Sequence, residues 1–131
     1  MNNPFPIKTD FGILKGRDIL FLDDVKIEYS DAKLSLIGEI NGELLEDKKR
    51  EDISYTLSFS GVLSYQMIEL DSWNGEYASS FDEIKKSEWI RKLIGKTSAS
   101  HQHYRVVTYD HVFDVVAVGH EWQYERNSKV I

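Results

Sequence analysis

The chain has 131 residues, no cysteine and a formal net charge of -6, with 41% hydrophobic and 29% charged residues. That size and balance indicate one globular domain, 1–131, and exclude disulfides, thiolate zinc sites and cysteine nucleophiles. The acidic balance opposes binding to nucleic-acid phosphates, and no apolar run is long enough to span a bilayer.

The opening Met1-Asn2-Asn3-Pro4 lacks the basic start of a signal peptide, so a cytoplasmic location is expected. Residues 1–10, with Pro4 and Pro6, read as a tail or a short edge segment. Residues 11–14 offer a first strand, Gly16-Arg17-Asp18 a turn, and residues 19–22 a short apolar run. Val25-Lys26-Ile27-Glu28-Tyr29 alternates apolar with charged, as a half-buried strand does. Ser30-Asp31 is turn chemistry, and Leu34, Leu36 and Ile40 continue one face around Gly38 until Asn41-Gly42. Residues 25–40 therefore read as a hairpin. The mixed charge run 46–52 reads as a solvated loop.

Residues 53–60, Ile-Ser-Tyr-Thr-Leu-Ser-Phe-Ser, form the clearest strand, four large apolar residues alternating with four small polar ones. Leu63 and Tyr65 keep that phase, which suggests one long strand bent at Gly61, with a bulge or change of sheet near residues 68–70. Ser80-Phe81-Asp82-Glu83 matches a capping box, so a short helical turn is expected at residues 81–85. Phe81 and Ile84 are out of phase with Trp89, Ile90, Leu93 and Ile94. Ser87 then serves as a second cap, with the principal helix at residues 88–94 ended by Gly95.

The stretch from His101 to Ala117 reads as two strands joined at Tyr109-Asp110. That register sets Thr108 opposite His111, Val107 opposite Val112 and Arg105 opposite Asp114, a favourable charge pair. It places Tyr104, Val106, Phe113 and Val115 on the core face, with Val107, Val112 and Val116 behind, partly covered. The expected fold is α+β: a mainly antiparallel sheet or small β-sandwich of six to seven strands, with one principal helix before the C-terminal hairpin.

Several residue sets bear on chemistry. His101 and His103 share one strand face, and with His120 they form a possible metal set, as His-x-His does in cupin barrels. The Glu that a cupin-like site needs is missing from residues 105–110, so the expectation is no metal, and two histidines at a strand entrance. Asp110-His111 with Asp114 is a candidate acid/base cluster, the alternative being a turn residue and a partner for Arg105. Asp23-Asp24, Asp71 and Asp110 contain no Asp-x-Asp pair for calcium. No serine sits in a Gly-x-Ser-x-Gly elbow, and no nucleotide loop or zinc-finger spacing occurs. The expectation is therefore no catalytic constellation and no cofactor. Trp73, Tyr77, Tyr109, Asp110 and His111 are the candidate partner-binding residues, because loop aromatics anchor partners and the acidic balance favours a basic one. A monomer or a homodimer is expected, an exposed edge strand being one route to the latter.

Ser79-Ser80-Phe81, Ser87, Trp89-Ile90, His103-Tyr104 and the run Thr108-Tyr109-Asp110-His111-Val112-Phe113-Asp114-Val115-Val116-Ala117 carry a resemblance. Over roughly the second half, the chain resembles a family of small uncharacterised bacterial proteins of the YxiG-like kind. Some members look like neighbours of secreted polymorphic-toxin genes. The resemblance implies an immunity-like or toxin-associated binding role in a bacterial cytoplasm, and it supplies no catalytic residues.

Overall fold

A computed structural model describes residues 2–45, 51–93 and 100–126. Nine strands occur among them: β1 (Asn3–Pro6), β2 (Leu20–Glu28), β3 (Lys33–Ile40), β4 (Ile53–Ser60), β5 (Ser64–Glu69), β6 (Phe81–Lys85), β7 (Gln102–Val107), β8 (His111–Ala117) and β9 (Gly119–Arg126). They form two antiparallel sheets, in the orders β1-β6-β7-β8-β5 and β2-β3-β4-β9. The mainly antiparallel expectation holds, but nine strands replace the expected six to seven. The single α-helix among the described residues, α1 (Glu88–Lys92), is only five residues long.

The two sheets pack face to face. Leu34, Leu36 and Ile40 of β3 and Ile53, Tyr55, Leu57 and Phe59 of β4 meet Phe81, Tyr104, Val106, Phe113, Val115 and Ala117 from the other sheet. Alternation makes this possible, since every second residue of each strand turns inward. Rings interlock across the gap: Phe59 lies 5.3 Å from Tyr104, and Trp122 lies edge-on to Phe81 at 5.4 Å.

The hairpin expected over residues 25–40 forms as β2–β3 but begins earlier, at Leu20, with Val25 opposite Leu36 and Ile27 opposite Leu34. A bulge between Leu22 and Asp24 drives the Phe21 carbonyl toward Gly38, where a Cβ would stand 1.8 Å from that oxygen. The buried Tyr55 hydroxyl reaches over the same glycine and donates to the Phe21 carbonyl at 3.0 Å. Burial and the Asp23 charge push that phenol well above its ordinary value, so it remains a donor.

Several expectations are corrected. Residues 11–14 form no strand; Thr9 and Gly12 close a tight bridge, and the first strand is β1. Pro4 and Pro6 confine β1 to an edge, because proline has no N–H to give a second neighbour. The long strand is cut at Gly61, which takes φ +61, and the chain changes sheet there rather than near residues 68–70. The capping-box segment is strand β6, not helix. Its Ser80 hydroxyl donates to the Gly16 carbonyl at 2.6 Å, while Asp82 accepts from the Ala78 and Ser79 amides. The Ser80 hydroxyl is thereby taken from the turn it was expected to cap. Phe81 instead enters the sandwich, and Ile84 is buried. Ser87 does cap α1, its hydroxyl accepting from the Ile90 amide at 3.1 Å. Residues 94 and 95 lie outside the described residues, as do 46–50 of the charge run. Trp122 and Tyr124 belong to an additional strand, β9, pairing with Leu57 and Tyr55 of β4.

Candidate functional site

The β7–β8 hairpin has the register read from sequence: Arg105 faces Asp114, Val107 faces Val112, and Tyr109-Asp110 form the turn. Thr108 locks that turn, its amide and hydroxyl both donating to the His111 carbonyl. Tyr104, Val106, Phe113 and Val115 fill the core face as expected. The opposite face is buried too, with Val107, Val112 and Val116 at 0–1% exposure.

That outer face carries a buried polar array. A row of facing residues crosses the sheet, from Asp82 of β6 through Arg105 of β7 and Asp114 of β8 to Gln66 of β5. Asp114 Oδ1 accepts from Arg105 Nε at 2.8 Å and lies 2.7 Å from His103 Nε2. The other ring nitrogen of His103, Nδ1, lies 2.7 Å from Ser87 Oγ. Arg105 also donates to the Glu76 carbonyl at 2.8 Å, and its guanidinium sits 5.0 Å from the Trp73 ring centre. Trp73 in turn rests on Gly75, where a Cβ would stand 2.4 Å from the ring. The 70–80 loop and α1 together roof the array, and Trp89 meets the His103 ring edge-on at 5.5 Å.

Burial alone would raise the Asp114 carboxyl. The hydrogen bond from His103 and the charge of Arg105 outweigh it and hold the group below its ordinary range. Asp114 is therefore ionised, and it fixes a proton on His103 Nε2. His103 Nδ1 is then free to accept from Ser87, so the three side chains form a hydroxyl–imidazole–carboxylate chain. The order suits proton transfer in principle. Ser87, however, is only 6% exposed, and its oxygen already accepts the Ile90 amide. Asp114 is shared with Arg105, so its Oδ1 does not serve His103 alone. The array satisfies itself and acts chiefly as a polar clamp between sheet, helix and loop.

The remaining histidines do not converge on it. His120 lies at the exposed rim of β9, on the side that faces the core, 5.0 Å from both Phe81 and Tyr104. His101 and His103 share a depression of about 320 Å³ beside Ser87, but both nitrogens of His103 are already engaged. Among the described residues no group of three His, Asp or Glu is placed to hold a metal ion. His111 sits beside Phe113 at 6.4 Å, while the carboxylate that meets an imidazole is Asp114, on His103. Sequence reasoning missed this pairing and Ser87's part in it. The signal was present: the register puts His103 and Arg105 on the face that Asp114 occupies.

The second feature lies at one end of the sandwich, where three loops meet the start of β2. Arg17 donates to the Tyr109 carbonyl at 2.7 Å, pairs with Asp71 at 3.5 Å and lies 5.1 Å over the Tyr109 ring. Tyr109 stacks obliquely on Phe21 at 5.5 Å, and its amide donates to the Leu20 carbonyl. Leu70 donates to the Asp110 carbonyl, tying the turn to the end of β5. Phe21 and Tyr109 remain 38% and 43% exposed, and the carboxylates of Asp18, Asp71 and Asp110 belong to exposed residues of the same segments. Trp73 and Tyr77 stack at 6.1 Å farther along the 70–80 loop, Trp73 half-buried as the cover on Arg105 and Tyr77 exposed.

Comparison with protein-family models, curated proteins and solved structures found no match to this chain. No helix among the described residues is long and apolar enough to cross a membrane.

Acid should weaken the fold through two groups. Asp114 is depressed below its ordinary value of 3.8, so its stabilisation is complete above that value and lost as pH falls through the lower, folded one. Burial, outweighing the charge of Glu83, lowers the His120 imidazole below 6.5. The unfolded chain therefore takes up that proton first, and stability declines as pH drops below 6.5. Thermal melts taken from roughly pH 7 to pH 3 should show Tm falling throughout, with His120→Gln removing the early part only. A Tm that is flat, or that rises on acidification, would contradict both assignments.

Proposed function

We propose that this chain is a non-enzymatic protein-binding domain that docks a basic protein partner through its acidic, aromatic loop end. In the bacterial cytoplasm implied by its resemblance, that partner is a secreted toxin or an associated protein, and the role is immunity-like. The observation that carries the reading is the Arg17–Tyr109–Phe21–Asp71 assembly. Two half-exposed rings are held in place by a guanidinium and bordered by exposed carboxylates. Rings fixed before encounter lose little entropy on binding, and carboxylates around them steer a cationic surface inward.

An acid/base enzyme is the less favoured reading. Its best arrangement, Ser87–His103–Asp114, is covered by α1 and the 70–80 loop, and its hydroxyl oxygen is already engaged.

The test is to inspect the gene neighbourhood and co-express the chain with any secreted toxin encoded there. Growth should be rescued by the wild-type chain and lost with Tyr109→Ala combined with Asp110→Asn. Each substitution lies at an exposed position, so the fold should survive. Binding should weaken by about tenfold or more, as loss of an interface anchor does. No rescue by the wild type, with no partner retained by the folded protein, rejects the reading.

A further inference from the structure

Sandwiches of this kind present four strand edges, and an unprotected edge invites pairing with another chain. Three of the four are protected here. β1 carries Pro4 and Pro6. β2 carries the bulge at Leu22/Asp24 and the exposed charges of Asp23, Asp24, Lys26 and Glu28. β9 carries the exposed carboxylates of Glu121 and Glu125. The fourth, β5, reads Ser-Tyr-Gln-Met-Ile-Glu. It has no proline, no lysine and a single charge, at its last residue. Among the described residues no strand pairs with its outer side.

The side chains of β5 are apolar where they should be covered. Tyr65 and Met67 face Val115 and Phe113 of β8, which places them on the core side of the sheet. Yet they are 40% and 50% exposed, because the opposite sheet does not reach over them. Beside them a mainly apolar groove of about 220 Å³ opens between Ile27, Leu34, Val62 and Tyr65, with Glu28 and Lys33, one charge of each sign, also lining it.

We propose that β5 is the homodimer edge of this protein, pairing antiparallel with β5 of a second copy about a two-fold axis at Gln66. In that register Tyr65 lies opposite Met67 of the other copy, twice, and the two Gln66 amides face each other. Four half-exposed apolar side chains then form one patch, with thioether–aromatic contacts across the seam. Charge favours a second copy over a basic partner at this edge. Residues 64–68 offer a cation no carboxylate, and the one charge of the strand, Glu69, falls opposite Leu63 and meets no like charge. The surface is separate from the loop end assigned to a partner, so either assignment can fail alone.

Sedimentation velocity of the full chain over a concentration series tests this. A dimer is expected. Met67→Lys should shift its dissociation to roughly tenfold higher concentration, while Phe5→Lys, on the protected edge of the same sheet, leaves it in place. Met67 is half-exposed, so the variant should keep the wild-type circular dichroism spectrum. The chain lacks cysteine, so Gln66→Cys supplies a lone thiol that should cross-link to a covalent dimer under mild oxidation. A wild type that stays monomeric, a dimer indifferent to Met67→Lys, or a Gln66→Cys variant that does not cross-link overturns the proposal. So does a monomeric wild type that loses a different bound protein on Met67→Lys.

Discussion

Asp114→Ala is expected to cost about 3–5 kcal/mol of folding stability, among the largest effects available in this chain. The carboxylate is almost fully buried, and it pairs with Arg105 and His103 at 2.8 and 2.7 Å. Its removal leaves the guanidinium under Trp73 with the Glu76 carbonyl as its one remaining hydrogen-bond partner among the described residues. It also takes from His103 Nε2 the acceptor of its proton. The stranded positive charge does more damage than the missing hydrogen bonds themselves. A double variant, Arg105→Met with Asp114→Leu, should therefore recover most of the deficit. Urea titrations of the wild type, single and double variants measure this directly. Equal instability in the single and double variants would mean that packing, not charge, sets the cost.

Gly38→Ala is expected to be nearly as severe, at about 3 kcal/mol or more. The new methyl group would stand 1.8 Å from the Phe21 carbonyl oxygen and 2.8 Å from its carbon, both backbone atoms that no rotamer change can move. β2 must lift away from β3 at its bulge, and the Tyr55 hydroxyl then loses its acceptor. Gly16→Ala provides the contrast. Nothing lies within 4 Å of that position, and only its φ of +90 opposes a side chain, so about 1 kcal/mol is expected. Chemical denaturation of the two variants should separate collision from backbone strain. Similar losses in both would refute the account of Gly38.

Much of this was readable where one element contained its own evidence. The β7–β8 hairpin could be registered from Arg105, Asp114 and the apolar phase, since strand pairing is set by side chains two apart. Ser87 was readable as a cap because the helical phase restarts after it. Ser80 was misread because a capping box and the start of β6 use the same residue types. Which one forms depends on Gly16, more than sixty residues away in sequence, whose carbonyl takes the serine hydroxyl. β9 alternates as Glu121-Trp122-Gln123-Tyr124-Glu125, so its signal was visible but weak beside the C-terminus. The join between Ser87 and His103 was not legible, because it needs the docking of α1 on β7 as well as the hairpin register. The loop end is likewise a product of topology. Tyr109 was placed in its turn, but its partners Arg17 and Phe21, and the Asp71 that pairs with Arg17, lie elsewhere in the chain.

The order of the strands constrains how the protein comes into being. β9 follows every other strand of the described fold in the chain, yet it is the neighbour of β4, about sixty residues earlier, and its Trp122 meets Phe81 inside the sandwich. During synthesis the β2–β3–β4 meander emerges early, with Leu36, Leu57 and Phe59 bare, and has to wait for its last neighbour. Such distant pairings slow maturation and prolong the sticky stage of a nascent chain. Ribosome-bound fragments that stop before residue 119 should therefore engage chaperones, and release of the full-length product should end that dependence.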